Sequence, residues 1–94
     1  EKKTFRTMLE DLIGTRGAYI LDEKLNILGK VPLSELITTI KSLNSGVYAI
    51  IFDGNIERAL VVTAEKVNVR FLVGMSSKVK QQETRVTLIT ENNL

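Results

Sequence analysis

The string Gly14-Thr15-Arg16-Gly17 is the most suggestive in the sequence. Two glycines around an arginine let backbone N–H groups approach a phosphate closely, and the Arg16 guanidinium can grip such a group bidentately. A Gly-x-x-Gly loop clamps a nucleic-acid backbone when it joins two helices. Here it joins a helical pattern to a strand. The same residues also suit a plain helix ending, with Gly14 as the left-handed residue past the last turn and Gly17 in the turn that follows. Both readings stand at the level of sequence.

Asp22 and Asp53 each fall at the end of an expected strand, with Glu23 beside the first. Carboxylates paired at the carboxyl edge of a sheet can hold magnesium. Asp is also an ordinary turn former, Asp53-Gly54 is a turn dipeptide, and no Asp-x-Asp occurs in the chain. Gly29-Lys30 does not make a phosphate loop, because Lys24 stands where that motif needs glycine and Val31 where it needs Ser or Thr. Between Lys66 and Arg85 the cations Lys66, Arg70, Lys78, Lys80 and Arg85 face only Glu83. Lys78, Lys80 and Arg85 are thus candidate phosphate contacts, although no aromatic after residue 76 offers a base a stacking surface. With no Cys and no His, the chain excludes thiol catalysis, zinc held by Cys or His, and any imidazole base.

These residues must be placed by elements that periodicity can trace. Phe5, Met8, Leu9, Leu12 and Ile13 form the stripe of an amphipathic helix, capped by Thr4 and ended by Gly14. Residues 18–22 and 26–31 read as two strands joined by a hairpin-length link, hence antiparallel. Pro32 opens a second helix carrying Leu33, Leu36, Ile37, Ile40 and Leu43, which Asn44-Ser45-Gly46 stops. The unbroken apolar run Val47–Phe52 predicts a central strand buried on both faces. Asn55 is expected to cap a third helix, residues 69–73 to form a fourth strand ended by Gly74, residues 76–83 a polar loop, and Val86–Thr90 a fifth strand at an edge. On that strand Val86, Leu88 and Thr90 share one side, and an incoming strand could pair with them.

The resulting order is α-β-β-α-β-α-β-β: an α/β fold with a small open mixed β-sheet and helices packed on it. The crossover from 47 to 73 should be right-handed and make a parallel pair. Ninety-four residues permit a single domain, 1–94. With 44% apolar and 26% charged residues it reads as an ordinary soluble chain. A net charge of +2, from 13 Lys+Arg against 11 Asp+Glu, allows only weak nucleic-acid binding on electrostatics. No apolar run spans a membrane, no secretory leader is visible, and the absence of cysteine fits a cytoplasmic location. The chain begins without Met and reads as the C-terminal module of a longer protein.

Several strings together resemble one family. Phe5–Leu12 followed by Gly14-Thr-Arg-Gly-Ala-Tyr-Ile-Leu-Asp, then Leu25-Asn-Ile-Leu-Gly-Lys-Val-Pro, resembles the C-terminal domain of archaeal DnaG-type primases. The likeness continues through Val47-Tyr-Ala-Ile-Ile-Phe-Asp-Gly and Ala64-Glu-Lys-Val-Asn-Val-Arg-Phe-Leu-Val-Gly, and it covers about residues 5–75. It implies a parent protein whose central Toprim domain holds Mg²⁺ through a Glu and an Asp-x-Asp. None of those positions has a counterpart here, so this stretch is expected to be non-catalytic and to need no cofactor or small-molecule substrate. The resemblance further implies docking to the archaeal RNA exosome through its RNA-binding cap subunit, with a leaning toward A-rich RNA. The alternative is an accessory role in the primase itself, positioning template or the Toprim domain during primer synthesis.

Overall fold

In the computed structural model, which describes residues 1–94, the first apolar stripe forms helix α1 (Lys2–Leu12), with Phe5, Leu9 and Leu12 buried. It starts earlier than Thr4 because Glu1 is the N-cap and its carbonyl already accepts the Phe5 N–H at 2.9 Å. It ends as expected: Ile13 leaves the helix and Gly14 takes φ +86°, a conformation that glycine adopts without strain. Ile13 therefore falls outside the stripe and is 47% exposed.

Strands β1 (Gly17–Leu21) and β2 (Ile27–Pro32) pair antiparallel, Ala18 opposite Val31 and Tyr19 opposite Lys30, with a bulge near Leu28. Pro32 does not open the second helix. It closes β2 opposite Gly17, and the Leu33 N–H still donates to the Arg16 carbonyl at 3.0 Å. A single 3₁₀ turn (Leu33–Glu35) then leads into α2 (Leu36–Leu43), which Asn44 ends at φ 64°.

Strand β3 (Ala49–Phe52) is buried at every residue, as its unbroken apolar run predicts. Asn55 is not a helix cap. Asn55–Ile56 form a short strand, β4, and α3 (Arg58–Lys66) begins after Glu57. The cause is a pairing that no local pattern displays: β4 lies parallel to β6 (Ser76–Ser77), and the buried Ile56 accepts the Lys78 N–H at 2.9 Å. Between them comes β5 (Phe71–Gly74), parallel to β3. Gly74 does not end this strand but lies within β5, and a Cβ there would stand 2.8 Å from the Gly54 carbonyl oxygen, so the position requires glycine. The expected polar loop 76–83 contains β6, a buried Val79 and a 3₁₀ turn (Gln81–Glu83). Last comes β7 (Thr87–Thr90), parallel to β5.

The five main strands lie in the order β2-β1-β3-β5-β7. Their two faces carry two cores. Phe5, Leu9 and Leu12 of α1 pack on Leu21, Ala49, Ile51, Val73 and Ile89. Helices α2 and α3 cover the other face, where Leu36, Ile40, Leu60 and Ala64 meet Ile20, Ile50, Leu72 and Val86. The expected element order holds for this sheet, with β4 and β6 added as a small ribbon beside it. No helix is long and apolar enough to cross a membrane.

Candidate functional site

The Gly14–Gly17 turn is held by Asp53. One carboxylate oxygen, Oδ2, accepts the backbone N–H of Gly14 at 2.9 Å and that of Arg16 at 3.0 Å. The Asp53 N–H in turn donates to the Gly17 carbonyl at 3.0 Å. The turn does present two convergent amides, as an anion site requires, and the anion they bind is the chain's own carboxylate. Thr15 completes the closure through Oγ1, which donates to the Leu12 carbonyl at 2.6 Å and accepts the Gly17 N–H at 3.1 Å.

Arg16 is left at φ 54° with an exposed side chain that makes no hydrogen bond or ion pair within the chain. It stands at the mouth of a groove of about 390 Å³ over the carboxyl end of β3, between the starts of α2 and α3. Leu33, Ile37, Phe52 and Leu60 give the groove apolar lining, and Arg16, Asp53 and Glu57 are its charged residues. Lys78 reaches this neighbourhood as well, with Nζ 4.0 Å from the Glu57 carboxylate.

The other candidate residues do not converge there. Lys80 is exposed on the strap before β7, where its backbone N–H donates to Glu83 at 2.9 Å. Glu83 also meets Arg58 at 3.2 Å, and the Lys80 N–H followed by Arg58 holds its carboxyl below the usual carboxylate range. Arg85 caps the far end of α3, donating from Nη2 to the Glu65 carbonyl at 3.0 Å. Asp22 and Asp53 lie at opposite ends of the sheet, because β1 runs antiparallel to β3. Asp53 stands beside Gly17 and Asp22 follows Leu21, so about 17 Å of strand separates them. No group of three His, Cys, Asp or Glu side chains comes together in a way that could hold a metal ion.

Asp22 closes the β1–β2 turn instead, its Oδ1 accepting the N–H groups of Lys24 and Asn26 at 2.9 Å each. Those bonds, Asn26 first, pull its carboxyl below the ordinary value. The hollow beside it, about 550 Å³, lies between Asp22, Glu23, Lys24 and Asn26 of this turn and Gly46–Tyr48.

The edge strand corrects a further expectation. β7 is an edge, but its outer side is not open. The Gln81 side-chain amide lies along it like a strand residue, donating to the Val86 carbonyl at 2.7 Å and accepting the Leu88 N–H at 2.8 Å. The Thr90 N–H is taken by the Asn93 side chain at 3.2 Å. Val86 itself is 1% exposed, and Leu88 packs against the same core, so neither offers the free apolar face that alternation alone implies. Sequence reading missed both Asp53 and Gln81 as organisers, since each acts on backbone groups that only the fold brings near.

The arrangement thus defines a small three-layer α/β module whose polar groups at the turn bind one another. No family model matches the chain. It is similar to proteins called DNA primase DnaG: 36% identical over 79% of this chain in Thermococcus gammatolerans, 38% over 97% in Methanocella arvoryzae, and 39% over 77% in Methanothermobacter thermautotrophicus. The chain belongs to the archaeal DnaG-type primase family. It spans 16% to 19% of the length of these three relatives.

Proposed function

We propose that this chain is a non-catalytic C-terminal interaction module of a DnaG-type primase. In this reading it works in the cytoplasm, docks the protein to the RNA exosome through the RNA-binding cap subunit, and supports processing of A-rich RNA. The observation that supports a binding role is the Asp53 clamp. It commits the turn's two amides to structure and leaves the Arg16 side chain free at the mouth of a half-apolar groove. Such a surface suits a partner's side chain better than a reacting group. Any Mg²⁺ chemistry of the parent belongs to a Toprim domain, whose carboxylate set has no counterpart here.

Arg16 and Lys78 are the cations best placed to meet a partner, and Lys80 is a third. Direct RNA contact through so few charges would be micromolar or weaker and would fade with salt. Contact through β7, at Leu88 and Thr90, would first have to displace Gln81 and Asn93. Co-elution with the exosome cap subunit on a sizing column tests the reading, and loss of co-elution in Arg16→Ala locates it. Absence of co-elution with the intact chain would reject it. The name shared by the relatives favours a second reading, an accessory role in primer synthesis that positions template or the Toprim domain. A stimulation of priming when the chain is added to its Toprim partner would support that reading.

A further inference from the structure

The two edges of the main sheet are finished differently. β7 is covered by Gln81 and Asn93, whereas β2 has β1 as its sole neighbour. The side-chain hydrogen bonds nearest to β2 stop at Asn26 and resume at Thr39, so none reaches residues 27–32. The ladder fixes which groups point outward. Because the Leu33 N–H donates to Arg16, Val31 and Gly29 also face β1, and Lys30 turns its N–H and C=O away from the sheet. Ile27 and Leu28 are 52% and 49% exposed, the two most exposed large apolar residues of the chain.

The face beside this edge is also uncovered. α1 packs over the middle of the sheet and leaves a groove of about 390 Å³ along the β2 margin, lined by Lys3, Met8, Asp11, Tyr19 and Ile27 among others. Lys30 stands across from Tyr19 on the same face, its Nζ 5.6 Å from the ring centre. Neither Lys3 nor Lys30 has a carboxylate within ion-pair distance, since the ion pairs of the chain are Arg58–Glu83 and Lys78–Glu57.

From this geometry we infer that the β2 edge receives a short extended peptide that carries carboxylates and an apolar side chain together on one face, at every second residue. The peptide adds as a sixth strand on Lys30. Its apolar side chain enters between Met8, Tyr19 and Ile27, and its carboxylates meet Lys3 and Lys30. A second copy of this chain fits poorly, because pairing two β2 edges antiparallel sets Lys30 against Lys30 or against the bulged Leu28. The bulge also limits the usable edge to a few residues around Lys30, so the partner segment is short.

The test is a titration of the ¹⁵N-labelled chain with the capped peptide Asp-Thr-Ile-Thr-Glu-Thr, whose first, third and fifth side chains share a face, and with its counterpart Lys-Thr-Ile-Thr-Lys-Thr. The acidic peptide should shift the Lys30 and Leu28 amides and the Tyr19 ring signals. It should bind at least about fivefold more tightly than the basic one, and Lys30→Glu should erase that preference. Lys30→Pro removes the outward N–H without touching the ladder and should weaken binding as well. If that variant fails to fold, Lys30→Glu and the peptide pair still decide the matter. Shifts confined to β7 or to the Arg16 groove would overturn the inference. So would equal response to both peptides, or no response up to about 2 mM. In that last case Lys30 only guards the edge against pairing.

Discussion

Asp53 Oδ2 lies 3.0 Å from the backbone nitrogen of Arg16, a residue held at φ 54°. The carboxylate thus fixes the backbone of the residue whose side chain is the freest cation near the groove. Position and availability are set by different parts of one residue: the main chain is tied down, and the guanidinium is not.

Replacing Asp53 by Ala should cost about 2 kcal/mol, because hydrogen bonds to a charged acceptor contribute more than neutral ones and two amides lose their partner together. Urea denaturation measures the loss. Hydrogen exchange at Gly14 and Arg16 should quicken ahead of the core strands, and unchanged exchange at these amides would contradict the clamp.

Arg16→Ala should leave the melting temperature within a few degrees while weakening partner binding, since the side chain has no partner in the chain. Arg16→Gly should be neutral or slightly stabilising, because glycine accepts the positive φ without steric cost. If Arg16→Ala unfolds the chain, the side chain is structural after all.

Gln81→Ala should uncover the outer edge of β7 by freeing the Val86 carbonyl and the Leu88 N–H. A loss of about 1–2 kcal/mol and concentration-dependent association, read by light scattering, are expected. A variant that stays monomeric at high concentration would show that the strap guards nothing.

Removing residues 84–94 should abolish cooperative folding. Val86 and Ile89 are 1% and 5% exposed, and each buried side chain of this kind contributes about 1.5–3 kcal/mol. A domain of this size has only about 5–15 kcal/mol in total. A sigmoidal urea transition in the truncated chain would refute this. Point variants at Gln81, Arg16 and Lys30 are therefore the cleaner probes of binding.

Glu83 and Asp22 both have carboxyls held below their ordinary values by backbone N–H donors, Lys80 for the first and Asn26 for the second. A depressed folded value means the stabilisation is complete above the unfolded value and is lost as pH falls through the folded one. Stability should therefore decline as pH drops below about 4. Asp22→Asn and Glu83→Gln should each flatten that decline, which urea midpoints at pH 6 and at about pH 3 will reveal.

Local sequence determined the parts of this protein that depend on near neighbours. The stripe of Phe5, Leu9 and Leu12, the left-handed Gly14, the hairpin-length link after Leu21 and the unbroken run of β3 each carry their own signal, so helix, turn, antiparallel pair and buried strand are legible. Tertiary structure decided whatever rests on contacts between distant segments. Asn55 reads as a cap until Ser76 arrives beside it, and Pro32 reads as a helix start until Gly17 pairs with it. Asp22 and Asp53 look alike in sequence, and antiparallel strand direction sends them to opposite ends of the sheet. Asp53 and Gln81 gave no local sign of their roles, because a side-chain acceptor or amide finds its backbone partner only once the chain has folded around it.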